Sequence, residues 1–219
     1  ITRALGHKTG VIGTLGTDTG DGLKYSHDGP PTTPEPSKLY RLFAEMAEKG
    51  TEYCFIEASS QALAQHRFAA EHFETAAFTN LTRDHLDYHG TMENYYLAKR
   101  SLFDMCGAAV VNIDDEHGAR TAEYCRSKGI PCRTVSVYDK ADYYTECVKL
   151  LPHGAEFVLT DSAAHRSYPV RFGMTGYYNV CNAAEAVVMC IQLGFEPDEC
   201  ISALEQIKGV SGRLETIYS

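Results

Sequence analysis

The sequence predicts an α/β fold: a doubly wound, mostly parallel sheet with helices on both faces and a small antiparallel patch at one edge. Three observations predict it. From residue 36 to 138, short apolar runs alternate with amphipathic runs of helical period, the pattern of parallel strands joined by helices. Several of these runs end in polar clusters, as strands do when a sheet builds a site at their carboxyl ends. From about 140 to 172 the pattern changes to strand-like alternation between short turns, which predicts antiparallel strands at an edge.

Taken in order, ITRALGHK reads as the last turns of a helix with Gly6 at its C-cap. A chain that begins inside a helix is expected to belong to something longer. TGVIGTLGT (9–17) is a short strand leading into a loop, and residues 18–36 are a long connection rich in Gly, Pro, Thr and Asp. Residues 36–50 form a helix with Leu39, Leu42, Phe43, Met46 and Ala47 on one face, ended by Gly50. EYCFIEAS (52–59) is a buried strand that delivers Glu57, and 60–68 is a short helical piece. FETAAFTN (73–80) is the next strand, and Thr91 caps a helix over 91–105. Strands over 107–118 (with an acidic turn) and 132–138 flank a helix over 118–129. Two helices close the pattern: 177–194, stopped by Gly194, and 197–209, opened by Pro197. The tail, VSGRLETIYS, starts another strand.

Composition narrows the function. The 219 residues suffice for a sizeable core, and the formal net charge of -9 argues against a nucleic-acid surface. No apolar run reaches the length of a membrane span, and nothing at the start reads as a secretory leader. There are eight cysteines but no C-x-x-C pair. Cys54, Cys106, Cys181 and Cys190 lie in apolar stretches, so reduced thiols in a cytoplasmic protein are expected.

The densest polar stretch is FTNLTRDHLDYHG, with Thr79, Asn80, Thr82, Asp84, His85, Asp87 and His89. Glu57 ends one strand and Asp84 and His85 follow the next, so a carboxylate, an imidazole and waters could hold Mg²⁺. Alternatively Glu57 caps a helix and His85 bonds a backbone carbonyl. His85 and His89 have the i, i+4 spacing of a zinc pair, but no H-E-x-x-H pattern surrounds them. Lys99 faces solvent beside Arg100 and Asp104, or it faces the site, where burial would leave a reactive neutral amine. Asn112 and Asp114 stand at a strand end, ready for a ribose or base or for an Asx-turn. Tyr178, Asn179 and Asn182 open a helix, where the Asn amides can cap it or meet a base edge. No G-x-x-x-x-G-K-[ST] phosphate loop is present.

Taken together, FTNLTRDHLDYHGTMENYYLAKRSLF, GVIGT, PTTPEP, EASSQALAQHR, VNIDDEHG, YYNVCNAAEAV and GVSGRLE resemble, in this order, the central ATP-binding domain of the Mur ligases. The resemblance covers nearly the whole chain. It is nearest to the members that add the third residue to UDP-N-acetylmuramoyl-L-alanyl-D-glutamate. It implies a fragment, lacking the phosphate loop, with residues 1–208 as the central domain and 209–219 as linker and start of a C-terminal domain. It further implies ATP and Mg²⁺ as cofactors, the UDP-linked muramoyl dipeptide and an amino acid (diaminopimelate or lysine) as substrates, and the protein's own N- and C-terminal domains as partners. The implied reaction passes through an acyl phosphate. In the family, Glu57 and His85 match Mg²⁺ ligands and Lys99 matches a carbamylated lysine that serves the metal site. Thr32, Thr33, Ser59 and Arg67 match residues that hold the muramoyl peptide, with Asn80 and Thr82 beside them. Asn112 and Asp115 match the nucleotide-side turn, Asn179 and Asn182 residues near the adenine, and Arg213 an arginine at the C-terminal junction. Gln61 stands where the family usually has histidine, and Gln hydrogen-bonds but carries no charge. A divergent, non-catalytic nucleotide-binding module is the second expectation.

Overall fold

The computed structural model describes residues 1–22, 24–25, 32–68, 72–207 and 209. Two compact units emerge. The N-terminal unit comprises Thr2–His72 with Arg83–Met105, and the C-terminal unit comprises Ile1, Phe73–Thr82 and Cys106 onward. The expected boundary near 208 and Arg213 lie outside the described residues, apart from Gly209.

In the N-terminal unit, residues 2–7 close a turn as a helix end does. Gly6 N–H donates to Arg3 O at 3.1 Å and His7 N–H to Thr2 O at 3.1 Å, with Gly6 at φ 91°. This pairing requires a left-handed residue, which is why glycine stands there. The chain then enters β1 (Thr9–Gly13), turns back into β2 (Gly16–Asp18), and continues to β3 (Lys24–Tyr25). β1 and β2 form a tight antiparallel hairpin in register Gly13↔Gly16, where the sequence reading had one strand and a loop. Helix α1 (Pro36–Glu48) carries Pro36 in its first turn, and Gly50 follows its end. Leu39 and Met46 are buried, Leu42 and Phe43 half-buried, and Ala47 is exposed.

β4 (Tyr53–Ile56) lies parallel to β1, giving the order β3-β2-β1-β4. β4 is an edge strand of this sheet, and it is less enclosed than its apolar run suggests, with Cys54 exposed. Short helices α2 (Ser60–Ala64) and α3 (Leu86–His89) precede α4 (Met92–Arg100), which runs into a 3-10 turn over Ser101–Met105. Ile12, Leu39, Leu63, Phe68, Tyr96 and Phe103 are among the buried side chains of this unit.

In the C-terminal unit, β5 (Phe73–Phe78), β6 (Cys106–Asn112), β7 (Cys132–Ser136) and β8 (Tyr143–Leu151) are parallel. β9 (Gly154–Asp161) and β10 (Arg166–Phe172) continue the sheet antiparallel, in the order β10-β9-β8-β7-β6-β5. The antiparallel patch is where the alternation places it. Helix α5 (Glu116–Ser127) crosses from β6 to β7, and α6 (Tyr177–Gln192) and α7 (Pro197–Glu205) end the described chain. Neighbouring residues of a strand face opposite ways. Val110 and Val111 are both fully enclosed, so the sheet is covered on both faces at β6. Val110 belongs to a core that includes Val135, Phe157, Leu159, Val170, Val180 and Val187. The small side chains Ala183, Ala184, Val187 and Val188 let α6 lie close on the strands.

The parallel ladder is not continuous among the described residues. β4 pairs with β1 and β5 pairs with β6, in separate sheets. None of the eight cysteines forms a disulfide among the described residues. No helix among the described residues is long and apolar enough to cross a membrane.

Candidate functional site

The expected site residues fall into two sets, one in each unit. In the N-terminal unit, Glu57 leaves β4 with its backbone N–H donating to Ile12 O at 2.9 Å. That bond extends the ladder by one step and carries the carboxylate off the ends of two parallel strands. Glu57 Oε2 accepts from the Thr14 N–H at 3.2 Å and from the Thr14 hydroxyl at 2.6 Å. The Thr14 hydroxyl also lies 3.1 Å from the Thr32 hydroxyl. Oε1 has no hydrogen bond among the described residues and lies against Gly13.

Beneath Glu57, the buried Thr33 hydroxyl donates to Glu57 O at 2.6 Å and accepts from Ser59 N–H at 2.9 Å. Arg67 Nη1 donates to Thr33 O at 2.6 Å, and Nη2 pairs with Glu35 Oε1 at 2.6 Å. Ser59 caps α2 by accepting from Ala62 N–H at 3.3 Å. Arg67 is aimed by a non-glycine helix stop: His66 sits at φ 53°, with Arg67 N–H donating to Ala62 O at 2.9 Å. The structure therefore brings Thr32, Thr33, Ser59 and Arg67 together with Glu57 in one hydrogen-bonded assembly. Gln61 is half-buried in α2. Asn80 and Thr82 fall in the other unit.

His85, His89 and Lys99 meet at Tyr95, an enclosed residue of α4. His89 stacks on the Tyr95 ring at 5.1 Å, and His85 meets it edge-on at 5.8 Å. Lys99 Nζ lies 6.0 Å from the ring centroid. His89 is buried, with Nε2 2.9 Å from the Ser60 hydroxyl. Burial lowers its pKa, and so does nearby His85. That engagement sets it apart from exposed His85, so the two are not an open zinc pair. His85 holds the left-handed region (φ 52°) before α3, a conformation that costs an L-residue energy and often marks a functional position. Lys99 is half-buried, has no carboxylate partner among the described residues, and is held below the ordinary lysine range by burial alone. Lys99 is thus a partly desolvated amine beside the Tyr95 ring. Among the described residues no three His, Cys, Asp or Glu side chains gather as a metal group.

In the C-terminal unit, Asn112 ends β6 almost fully buried. Its Oδ1 accepts from Asp114 N–H at 2.7 Å, and its Nδ2 donates to Cys181 Sγ at 2.8 Å. Asp114 accepts from the Ser136 hydroxyl and from Val137 N–H. Asp115 caps α5 by accepting from Gly118 N–H at 2.8 Å, while its other oxygen accepts from Leu81 N–H at 3.1 Å. Asn112, Asp114 and Asp115 thus tie the turn to α6, to the end of β7 and to the segment after β5. Asn179 donates to Thr175 O at 2.8 Å, whereas exposed Asn182 makes no side-chain hydrogen bond among the described residues. Buried Glu185, one turn beyond Cys181, was not anticipated. Neither carboxyl oxygen has a hydrogen-bond partner among the described residues. Burial first, and Asp114 second, push its pKa up to about 8.

Comparison with known proteins places this geometry. The Mur ligase middle domain family matches residues 1–190. The chain belongs to this family. Among curated relatives, UDP-N-acetylmuramoyl-L-alanyl-D-glutamate–2,6-diaminopimelate ligase 1 of Clostridium acetobutylicum is 37% identical over 97% of this chain and 42% of its own length. The ligase of the same name from Geobacillus thermodenitrificans is 36% identical over 99% of this chain and 45% of its own. A solved structure titled as that ligase superposes with TM-score 0.86 at 30% identity, covering 99% of this chain and 44% of the other. The chain thus spans less than half the length of these relatives. Within this Mur ligase middle domain, Thr14 and Gly13 were the missed partners of Glu57, though both lie in the GVIGT run. Tyr95 and Glu185 gave no signal, because what distinguishes them is tertiary contact.

Proposed function

We propose that this Mur ligase middle domain is the ATP-binding part of a cytoplasmic ligase of peptidoglycan precursor synthesis. The ligase joins the D-glutamyl carboxylate of UDP-N-acetylmuramoyl-L-alanyl-D-glutamate to the amino group of diaminopimelate, with lysine the alternative amine. The protein's own N- and C-terminal domains complete the catalytic centre, residues 1–208 being the central domain and 209–219 the linker into the next. The named relatives support the substrate class. The observation that carries the reading is Lys99, a half-buried amine with no anionic partner among the described residues, its ammonium disfavoured by burial.

A neutral amine can add to CO₂, forming an N–C bond and losing a proton, which replaces an unpaired cation with a carboxylate. Glu57 Oε1, the exposed His85 imidazole and that carbamate are oxygen and nitrogen donors of the kind that fit Mg²⁺. Mg²⁺ when bound would neutralise the charge gathered as a phosphoryl group moves to a carboxylate. Thr14 fixes the Glu57 carboxylate by two donors on Oε2, leaving Oε1 without a hydrogen bond among the described residues. Tyr95 holds His85 and Lys99 against its ring. Thr32, Thr33, Ser59 and Arg67 hold the muramoyl-peptide side. Asn112 and Asp115 shape the nucleotide-side turn, Asn179 and Asn182 approach the adenine, and Arg213 serves the junction to the C-terminal domain.

The test is amide ligation by the full-length protein and its Lys99→Ala variant, with ATP, the UDP-linked dipeptide and diaminopimelate or lysine. The expected result is loss of activity in the variant and recovery with added short carboxylic acids. A wild-type protein that forms no amide with either amine overturns the proposal.

A further inference from the structure

We propose that Cys125 and Cys132 are a peroxide-responsive dithiol that closes to a disulfide across the turn from α5 to β7, at the opposite end of the strand from the acidic turn. The buried residues of α5 are Gly118, Thr121, Ala122 and Cys125. They recur at helical spacing, so Cys125 ends the face that α5 turns to the sheet. On β7, Val135 belongs to the core that α6 covers, and Ala122 and Cys125 lie outside that core. Strand alternation therefore turns Cys132 and Thr134 to the other face, where α5 packs. The helix stop folds the chain back: Gly129 is left-handed at φ 70°, and Ile130 N–H donates to Cys125 O at 2.9 Å. From there the chain enters β7, and the Cys132 thiol is hydrogen-bonded to that of Cys125.

The two thiols are not equivalent. Cys125 is enclosed and Cys132 is partly exposed. The hydrogen bond from Cys125 holds the Cys132 thiol below the ordinary cysteine range, and the Arg126 charge adds to it, against burial and Asp142. The thiolate is the nucleophile, so the sulfur an oxidant can reach is also the activated one. The Cys132 sulfur attacks one oxygen of a hydroperoxide, the O–O bond breaks, and the other oxygen leaves as water or an alcohol. Cys132 is then a sulfenic acid. The Cys125 sulfur attacks the Cys132 sulfur, the S–O bond breaks, and hydroxide leaves as water with the Cys125 proton. Together the two thiols give up two electrons and two protons, and the peroxide takes them.

A second thiol contact, Cys190 with Cys200, joins α6 to α7. Both of its members are buried in the core, out of reach of an oxidant, so that pair stays reduced in the folded protein. Cys132 opens β7 and Ser136 closes it. Ser136 is the residue that holds Asp114, so the length of the strand separates the dithiol from the carboxyl ends where parallel sheets build sites. The disulfide fastens α5 to the sheet and leaves the acidic turn untouched.

The experiment exposes the native full-length protein to hydrogen peroxide, unfolds it, alkylates the remaining thiols and maps its peptides by mass spectrometry. The expected product is a cross-linked peptide joining Cys125 to Cys132, lighter than its reduced parts by two hydrogens and absent after dithiothreitol. Cys125→Ala strands the sulfenic acid, so dimedone should label Cys132 in that variant. Cys132→Ser should leave Cys125 reduced. Ligation by the oxidised protein is expected to match that of the reduced protein. A native protein that forms no such cross-link, or that joins Cys190 to Cys200 instead, overturns the proposal. So does a loss of ligation on oxidation that Cys132→Ser escapes. The peptide map requires no turnover, so failure of the ligase reading would leave the dithiol tested all the same.

Discussion

Gly13 and Glu57 occupy one space: a β-carbon on residue 13 would stand 2.6 Å from Glu57 Oε1 and 2.8 Å from the carboxyl carbon. The neighbour that must yield is the end of a flexible side chain, so a methyl group there displaces the carboxylate and leaves the fold standing. Gly13→Ala is expected to shift the melting temperature by only a few degrees while reducing ligation at least tenfold. Ligation at the wild-type rate would show that the position of Oε1 is immaterial.

Lys99 sits where a fold gains nothing from a charge. Replacing it with methionine keeps the length and apolar stem of the side chain and removes the desolvated amine. In CO₂-free buffer at neutral pH, Lys99→Met is expected to be more stable than wild type by about 1 kcal/mol while losing ligation. Urea denaturation of both proteins, followed by circular dichroism, measures the difference. A less stable methionine variant would mean that the amine has a favourable partner.

Glu185 makes stability depend on pH. Its folded pKa of about 8 stands above its ordinary value of 4.5. Between those values the folded protein keeps a proton that the unfolded chain has released. Stability from this group is therefore greatest below pH 4.5, falls as pH climbs to about 8, and is level above. Glu185→Gln does not titrate, so its advantage over wild type should grow across that window by roughly 1.4 kcal/mol per pH unit, to at most about 5 kcal/mol. A difference that does not change with pH would refute the assignment.

Asp115 spends its two oxygens on two different backbones, Gly118 and Leu81. Asp115→Ala is expected to cost about 1–2 kcal/mol through the lost helix cap and the stranded Leu81 amide. Asp115→Asn can still present one oxygen, so it should recover roughly half. Equal losses in the two variants would show that only the charge matters.

What could be read from the sequence was whatever depended on local pattern. Helix α6 was visible because a long apolar run stops at Gly194, and β8, β9 and β10 because alternation is visible residue by residue. Helix α3 was hidden: four residues, LDYH, carry no period. The left-handed backbone of His85 was hidden too, since histidine only tolerates that region. Cys54 was expected inside, but an apolar run does not reveal that its strand lies at a sheet edge. For Lys99 the residues alone favour the solvated face, the usual place of a helical lysine, and its half-burial beside Tyr95 is set by tertiary packing. Glu185 carried no signal in the sequence, because only packing encloses it.

The contact at Gly118 fixes a length as well as a residue. A β-carbon there would come 1.8 Å from Asn112 O, so α5 starts directly against the end of β6 and the loop between them has no slack. Side chains inside that loop are free to vary in kind, but a single inserted residue would drive the helix into the strand. Distant relatives of this domain should therefore be easier to find by the interval from strand end to glycine than by the identity of the acids between.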